Sequence, residues 1–224
     1  RCHVKLLIVS DTPYLQTGLG RVTRELASRL QARHHVEIAG WFHPKAASPA
    51  QTNGFTIHPM ATRELGFETL EPLCRTGGFD AAIGIGDPWY FGYLGQLQWM
   101  QKARGIHLPW IGYLTIDGDP LPQRFASFVS AFDRLVTCTE YGRQALSKID
   151  ARPISMIPYG VDCETFKPLD RVAIRKQMGW EHAFVVLVDA QNIPRKNLWA
   201  AIQAFDQFQA GKPTLLYLFT NIDD

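Results

Sequence analysis

The chain has 224 residues, of which 46% are hydrophobic, and its formal net charge is +2 at pH 7. That apolar content is enough for a buried core, and the interspersed charges do not favour a nucleic acid or a membrane surface as partner. No apolar run approaches the roughly 20 residues of a membrane helix. The run near the N-terminus is too short for a signal peptide, because Ser10 and Asp11 end it.

The cysteines are widely spaced and include no C-x-x-C pair; they are Cys2, Cys74, Cys138 and Cys163. Such spacing is typical neither of a disulfide framework nor of a zinc site. The histidines also lack the spacing of a metal-binding motif. We therefore expect a cytoplasmic protein that binds no metal ion.

Short apolar runs alternate with amphipathic stretches over most of the chain. The apolar runs are typical of strands buried in a parallel sheet and lie at residues 4–9, 36–42, 54–59, 79–87 and 109–117, with a further strand ending at residue 138. The predicted helices lie at residues 21–30, around 62–75, at 93–104 and from residue 140 onward. This alternation predicts an α/β fold with a Rossmann-like, doubly wound parallel sheet.

Residues 154–168 interrupt the alternation. They place two prolines and a glycine around a short apolar strand, and a short helical stretch follows, so we predict a linker. The pattern of strand, helix and strand then returns at residues 183–191, 197–208 and 213–220. The sequence thus predicts two domains, residues 1–166 and residues 167–224. The second is expected to be an incomplete Rossmann-like domain with an exposed sheet edge.

The stretch QTGLGRVTREL, residues 16–26, places two glycines between the first predicted strand and its helix. A dinucleotide fingerprint requires a third glycine, where this chain has Thr23, and an acidic residue after the second strand, where it has none. The glycines either only let the chain turn, or leave backbone N–H groups of residues 18–21 open to a polar ligand. We favour the ligand, and predict that Gly18, Leu19 and Gly20 bind substrate.

Four stretches spread over nearly the whole chain share motifs with one enzyme family. They are DTPYLQTGLGRVTREL (11–26), FDRLVTCTEYGRQAL (132–146), MIPYGVDCETFKP (156–168) and FVVLVDAQNIPRKNLWAAIQAF (184–205). Together they resemble the GT-B fold glycosyltransferases, specifically the large retaining group that uses nucleotide sugars. The resemblance implies that the N-terminal domain mostly binds the acceptor and the C-terminal domain the nucleotide sugar, with sugar transfer in the cleft between them.

The resemblance assigns the donor diphosphate to the PRKN stretch. Arg195 and Lys196 lie there between a strand end and a helix N-terminus, where their charges and the helix dipole act together on an anion. The family usually has an arginine five residues before this lysine, but here the position is Gln191, which has no charge. We predict that Gln191, Arg195 and Lys196 bind the donor diphosphate. The alternative is that Arg195 and Lys196 are only the solvated start of a helix.

Asp117, in TIDGDP, follows a predicted strand at the edge where open α/β sheets bind ligands. The resemblance places this position near the transferred sugar and the acceptor. We therefore predict Asp117 to be catalytic, orienting the acceptor or stabilising positive charge on the sugar ring. The run Asp117-Gly118-Asp119 also matches a metal-binding D-x-D, but enzymes with that motif lack the IPYGVD junction. Asp119 is assigned instead to a helix cap or a turn before Pro120.

Two further residues are predicted to bind substrate. Asp87 also follows a strand, and Trp89 and Tyr90 beside it can stack on a sugar. The alternative is a turn residue followed by core aromatics. Tyr141 and Gly142, in TEYGR, resemble the family's helix opening before the junction, and Thr139 or Glu140 beside them is predicted to face the cleft.

These motifs predict a hexosyltransferase-type enzyme that moves a sugar from a nucleotide-diphosphate sugar to a sugar, lipid or protein acceptor, with retention of configuration. The nucleotide sugar is the co-substrate, and no cofactor, metal or nucleic-acid partner is expected. The alternative is a catalytically silent GT-B-like module that binds nucleotide or carbohydrate, favoured by Gln191; a hydride-transfer enzyme ranks third. Because the second domain is incomplete, the chain is expected to be inactive alone, and to assemble with copies of itself or with a missing C-terminal half.

Overall fold

The structure, a computed structural model, describes residues 3–42, 50–52, 54–60, 66–209, 211 and 213–221. The chain forms two compact units, Arg1–Gly160 and Val161–Asp224. The boundary predicted from the sequence, after Phe166, lies inside the second unit. Cys2 and residues 62–65 of the predicted second helix lie outside the described residues.

The first unit is built from alternating strands and helices, as the sequence predicts. In chain order its elements are β1 (Lys5–Asp11), α1 (Gly18–Gln31), β2 (His35–Trp41), β3 (Ala50–Thr52), β4 (Phe55–Met60), α2 (Gly66–Thr76), β5 (Ala81–Gly86), a 3₁₀ turn (Pro88–Phe91), α3 (Leu94–Ala103), β6 (Trp110–Leu114), α4 (Phe125–Ser130), β7 (Arg134–Thr137), α5 (Glu140–Ser147) and β8 (Ile154–Met156). The strands form one sheet in the order β3-β4-β2-β1-β5-β6-β7-β8. All of its pairings are parallel except that of β3 with β4.

Each face of this sheet has its own apolar core. On one face α1 packs through Ala27 against Leu6 and Ile8 of β1. On the other face α2, α3, α4 and α5 contribute to a second core that includes the alternate residues Leu7 and Val9. Because successive side chains of a strand point to opposite faces, the continuous apolar run of β1 is buried on both sides. This arrangement confirms the predicted doubly wound α/β sheet.

Helix α1 lies close to the sheet because small residues form its buried face. Gly20, Thr23 and Ala27 recur at spacings of three and four and are buried. The larger apolar residues that predicted the helix, among them Val22 and Leu26, are only half-buried at the margins of this contact. The sequence therefore identified the correct helix but not the residues that touch the strands.

Three features of the first unit differ from the predicted elements. The edge strand β3 and helix α4 were not expected, since three and six residues are too few to show a periodic pattern. Strand β6 ends at Leu114 rather than at residue 117. Asp117 therefore lies on a loop beyond the strand.

The second unit contains fewer elements. They are α6 (Arg171–Gln177), β9 (Phe184–Asp189), a 3₁₀ turn (Pro194–Lys196), α7 (Leu198–Phe208) and β10 (Thr214–Phe219), and β9 pairs with β10 in parallel. Among its described residues only Leu198 is buried. The predicted strand, helix and strand are all present, and their apolar faces are largely exposed. None of the helices in the described parts of either unit has the length and apolar composition to cross a membrane.

A buried carboxylate joins β1, β2 and β4 at the amino-terminal side of the sheet. The side chain of Glu37 contacts Nζ of Lys5 at 2.7 Å, Nε2 of His58 at 2.6 Å and Nε2 of His35 at 3.1 Å. Burial raises the pKa of Glu37, but the hydrogen bonds from Lys5 and the two histidines outweigh it and lower the pKa to about 2. The charged form of Glu37 is thus favoured in the folded state.

We expect this carboxylate to make folding stability depend on pH. The folded-state pKa of Glu37 lies below its usual value, so its contribution is present above about pH 4.5 and is lost as the pH falls towards 2. Glu37→Gln should remove roughly 3 kcal/mol of that pH-dependent stability, measured as the free energy of urea unfolding at pH 7, 4 and 3. Glu68→Gln, at an exposed position of α2, is the control. A variant with the acid sensitivity of wild type would contradict this role.

Candidate functional site

The carboxyl ends of β1 and β5 lie side by side in the middle of the sheet. The chain runs from β1 to β2 on one side, whereas β5 pairs with β1 on the other side. Such a reversal of strand order leaves a crevice where open α/β sheets bind ligands. The loops after the two strands meet there, since a Cβ atom added to Gly86 would lie 3.7 Å from Cδ1 of Leu19.

The loop after β1 is fixed by side chains of its own. Oγ1 of Thr17 donates a hydrogen bond to Oδ2 of Asp11, at 3.0 Å, and accepts one from the N–H of Gly20, also at 3.0 Å. Asp11 is only 1% exposed. Thr17 therefore caps α1 and ties its first turn to the end of β1.

The predicted ligand-facing N–H groups of this loop fall into two classes. Those of Gly20 and Arg21 donate to Thr17, at 3.0 Å each. Among the described residues, no acceptor contacts the N–H groups of Gly18 and Leu19. The structure therefore leaves Gly18 and Leu19 as the donors available to a ligand, and substrate binding by the loop stays a prediction.

The two glycines of the loop also differ in the space around them. A methyl group on Gly20 would lie 2.5 Å from the carbonyl oxygen of Leu15 and 3.0 Å from that of Thr12. A methyl group on Gly18 would meet no atom within 4 Å. Gly20 is thus required by backbone packing, whereas Gly18 leaves an open surface at the start of α1.

Substitution by alanine should separate these two roles. We expect Gly20→Ala to lower the free energy of unfolding by about 1–3 kcal/mol, because the backbone must move away from the added methyl group. Gly18→Ala should change it by less than about 0.5 kcal/mol, since the site is open. Chemical unfolding of both variants measures the difference, and equal stability would refute the assigned packing role of Gly20.

A pocket of about 210 Å³ lies beyond the end of β6. Its walls are mostly apolar and include Trp89 and Phe125, whose ring centroids are 5.6 Å apart. Asp117 and Thr115 line it from the loop after β6. Asp117 is exposed, and no donor within the described parts of the chain contacts its carboxylate. The structure thus brings the predicted Asp117 and Trp89 into one pocket.

The second aspartate of the D-x-D run has a different environment. Oδ2 of Asp119 lies 2.5 Å from Nζ of Lys148, which follows α5. Asp119 forms this ion pair instead of the helix cap that the sequence predicts. The alternative prediction, a turn residue before Pro120, did not include the contact with Lys148. Because Lys148 already neutralises Asp119, the two carboxylates are not both free to hold a cation.

The two other predicted substrate residues of this unit lie at strand ends. Asp87 follows β5 and precedes the turn Pro88–Phe91 without capping it. Thr139 follows β7, and its Oγ1 accepts a hydrogen bond of 3.0 Å from the N–H of Gly142. This bond gives Thr139 a structural role as the cap of α5. Substrate binding by Asp87 and Thr139 remains a prediction.

Tyr159 is a residue at this site that sequence reasoning did not assign. Its hydroxyl oxygen lies 3.2 Å from Oγ1 of Thr115, and its ring packs on Tyr113 with 5.2 Å between centroids. The only signal was its place in the IPYGVD stretch, because its partners are far away in the sequence. Burial raises the pKa of Tyr159, and the nearby charges of Cys138 and Asp87 raise it further, while the bond with Thr115 lowers it.

In the second unit the predicted diphosphate residues share the loop between β9 and α7. Gln191, Arg195 and Lys196 are all exposed there. Asn197 ends the 3₁₀ turn in the left-handed region, with φ 47°, and its side chain accepts a hydrogen bond from the N–H of Ala200. No acceptor in the described part of the chain contacts the side-chain nitrogens of Arg195 or Lys196. The structure therefore presents two available cations just before a helix N-terminus.

Comparisons by sequence find no relative. No protein-family model matches the chain, and no curated protein sequence matches it.

Comparisons of structure do find similar chains. An α-glucosyltransferase in complex with UDP and a 13-mer DNA containing a HMU base matches with a TM-score of 0.53 at 11% identity, over 97% of this chain and 57% of that one. UGT71G1 of Medicago truncatula, complexed with UDP-glucose, matches with a TM-score of 0.55 at 9% identity, over 98% of this chain and 67% of that one. This chain thus spans 57% of the length of the first structure it matches. The likeness confirms the predicted resemblance to GT-B glycosyltransferases at the level of the α/β fold.

Proposed function

We propose that this chain belongs to a glycosyltransferase that moves a sugar from a nucleotide-diphosphate sugar to an acceptor hydroxyl with retention of configuration. The observation that carries the proposal is the match of nearly the whole chain to structures that hold UDP or UDP-glucose. At 9–11% identity this likeness establishes the fold. The assignment of the activity therefore also depends on the site residues.

The basic loop of the second unit supports a diphosphate as ligand. Arg195 and Lys196 are exposed cations next to the positive end of α7, so an anion bound there interacts with both charges and with the helix dipole. Gln191 lies on the same loop and offers an amide N–H rather than a charge. Arg195 then supplies the second positive charge that the family obtains at position 191.

The pocket beyond β6 supports an acceptor or sugar site. The walls are mostly apolar, so a substrate that fills the pocket displaces its water, and the carboxylate of Asp117 then acts more strongly on nearby charge. Its free oxygens suit it to orient an acceptor hydroxyl or to stabilise the positive charge that develops on the sugar ring. The exposed face of Trp89, which is 45% exposed, offers a stacking surface for a ring.

In the proposed reaction the acceptor oxygen bonds to the anomeric carbon on the face from which the donor phosphate departs. The bond between that carbon and the phosphate oxygen breaks, and its electron pair leaves with the nucleoside diphosphate. The departing phosphate oxygen accepts the acceptor proton, so Asp117 forms no covalent bond. Arg195 and Lys196 stabilise the negative charge of the leaving diphosphate.

A second candidate is a silent module that binds nucleotide or carbohydrate without turnover. The observation that favours it is Gln191, which reduces the charge available to stabilise a leaving diphosphate. The two candidates differ in outcome: both bind a nucleoside diphosphate, but only the enzyme consumes a nucleotide sugar.

The acceptor class and the location of the protein also belong to this proposal. The matching α-glucosyltransferase was crystallised with DNA, so the fold does not support the exclusion of nucleic acid, and DNA joins sugars, lipids and proteins as an acceptor to be tested. The cysteines of the described chain, Cys74, Cys138 and Cys163, are free thiols. We place the protein in the cytoplasm because free thiols suit a reducing compartment.

The donor site is tested by removing one cation. In the full-length protein, Lys196→Ala should weaken nucleoside-diphosphate binding by about 1.5–3 kcal/mol, the range for hydrogen bonds to charged groups, measured by titration calorimetry. Lys176→Ala, on α6, is the control and should bind as wild type does. Gln191→Arg should leave binding unchanged if Arg195 already supplies the second positive charge, and should strengthen binding if that charge is lacking. Unchanged affinity in Lys196→Ala would remove this loop from the site.

The acceptor pocket is tested by neutralising one carboxylate. Asp117→Asn keeps the shape of the side chain but loses its charge, so turnover should fall by about tenfold or more with little change in stability. Asp119→Asn is a matched control two positions away, where the carboxylate faces Lys148, and should retain most activity. Wild-type turnover in Asp117→Asn would mean that Asp117 has no part in the reaction.

A further inference from the structure

Residues 157–160, the last segment of the first unit, are hydrogen-bonded to the carboxyl end of β6. Tyr113 donates a hydrogen bond of 2.5 Å from its hydroxyl to the carbonyl oxygen of Ile157. Two residues later, the hydroxyl of Tyr159 lies 3.2 Å from Oγ1 of Thr115. The rings of Tyr113 and Tyr159 pack on each other. The four residues form a clamp, made of Tyr113, Thr115, Ile157 and Tyr159.

The clamp holds the first residue of the loop that bears Asp117. The N–H of Thr115 donates to the carbonyl oxygen of Gly86 at 3.0 Å, which ties the backbone to the end of β5. Ile116 is buried in the core. The hydroxyl of Thr115 gives the loop one further contact, with the hydroxyl of Tyr159. Asp117 follows Thr115 and Ile116 in the chain, so the position of its backbone depends on how those two residues are held.

We propose that Tyr159 is a positioning residue for Asp117. Through its contact with Thr115, Tyr159 links the last segment of the first unit to the loop that lines the pocket. The inference rests on the proposed function only for the role of Asp117. The clamp itself depends on contacts within the first unit, which ends at Gly160.

The chemistry of the tyrosines fits such a structural link. Burial raises the pKa of Tyr113 to about 12, so its hydroxyl keeps its proton at neutral pH and can donate to Ile157. Tyr159 also has a raised pKa and stays neutral. Tyr159 is 37% exposed, and its ring is held by Tyr113 rather than by full burial. Removing its hydroxyl therefore breaks one hydrogen bond and leaves the ring packing in place.

Hydrogen exchange tests the clamp without reference to catalysis. In the full-length protein, Tyr159→Phe should speed amide exchange in residues 116–122 by about 2–10-fold, the effect of one lost neutral hydrogen bond. Thr115→Val should have the same effect, and the double variant no larger one. Thr115→Ser, which keeps the hydroxyl, should exchange as wild type does. Tyr141→Phe, on the exposed surface of α5, is the control.

Kinetics then tests the positioning role. If Tyr159 orients Asp117, kcat should fall about 2–10-fold in Tyr159→Phe and in Thr115→Val while KM for the donor stays unchanged, and Thr115→Ser, which keeps the hydroxyl, should retain the wild-type kcat. Unchanged exchange in both Tyr159→Phe and Thr115→Val would overturn the clamp. Faster exchange with unchanged kcat would overturn positioning. Faster exchange in a protein whose wild type transfers no sugar would support the clamp and reject the proposed function instead.

Discussion

Parallel pairing of β1 with both β2 and β5 is the constraint on which the site depends. It puts the carboxyl ends of two central strands at one edge while their connections leave in opposite directions. The capped start of α1 lies on one side of this crevice and Asp87 lies on the other. The next strand, β6, ends at the same edge and delivers Thr115 and Asp117. Every proposed contact of the first unit with substrate therefore follows from the order of its strands.

Hydrogen bonding separates polar groups that build the fold from those that are available to a ligand. Asp11, Glu37, Asp119 and Thr139 all have bonded partners in the structure. In the described chain, Asp117, Arg195 and Lys196 have none at their charged groups. Buried or half-buried polar groups require partners because leaving them unpaired costs free energy. Asp117, Arg195 and Lys196 thus keep charged groups available for the ligand contacts proposed above.

Local patterns allowed most of the fold to be predicted from the sequence. Continuous apolar runs identified the central strands, and the resemblance to GT-B enzymes agreed with the fold found by structural comparison. Short elements such as β3 and α4 lack a readable period. The Asp119–Lys148 pair and the Tyr159–Thr115 contact join residues distant in sequence, and only the folded backbone brings them together. The roles of Gly18 and Gly20 differ because of neighbouring carbonyl groups, which no local pattern reveals.

The most direct test of the account is sugar transfer by the full-length protein from a panel of nucleotide-diphosphate sugars, offered with sugar, lipid, protein and DNA acceptors. Release of nucleoside diphosphate and formation of glycosylated product are measured together, and proton NMR gives the configuration at the anomeric carbon. We predict equal amounts of both products and the anomeric configuration of the donor. An inverted product would contradict the proposed retention, and a protein that neither binds nor consumes any nucleotide sugar would contradict the account as a whole.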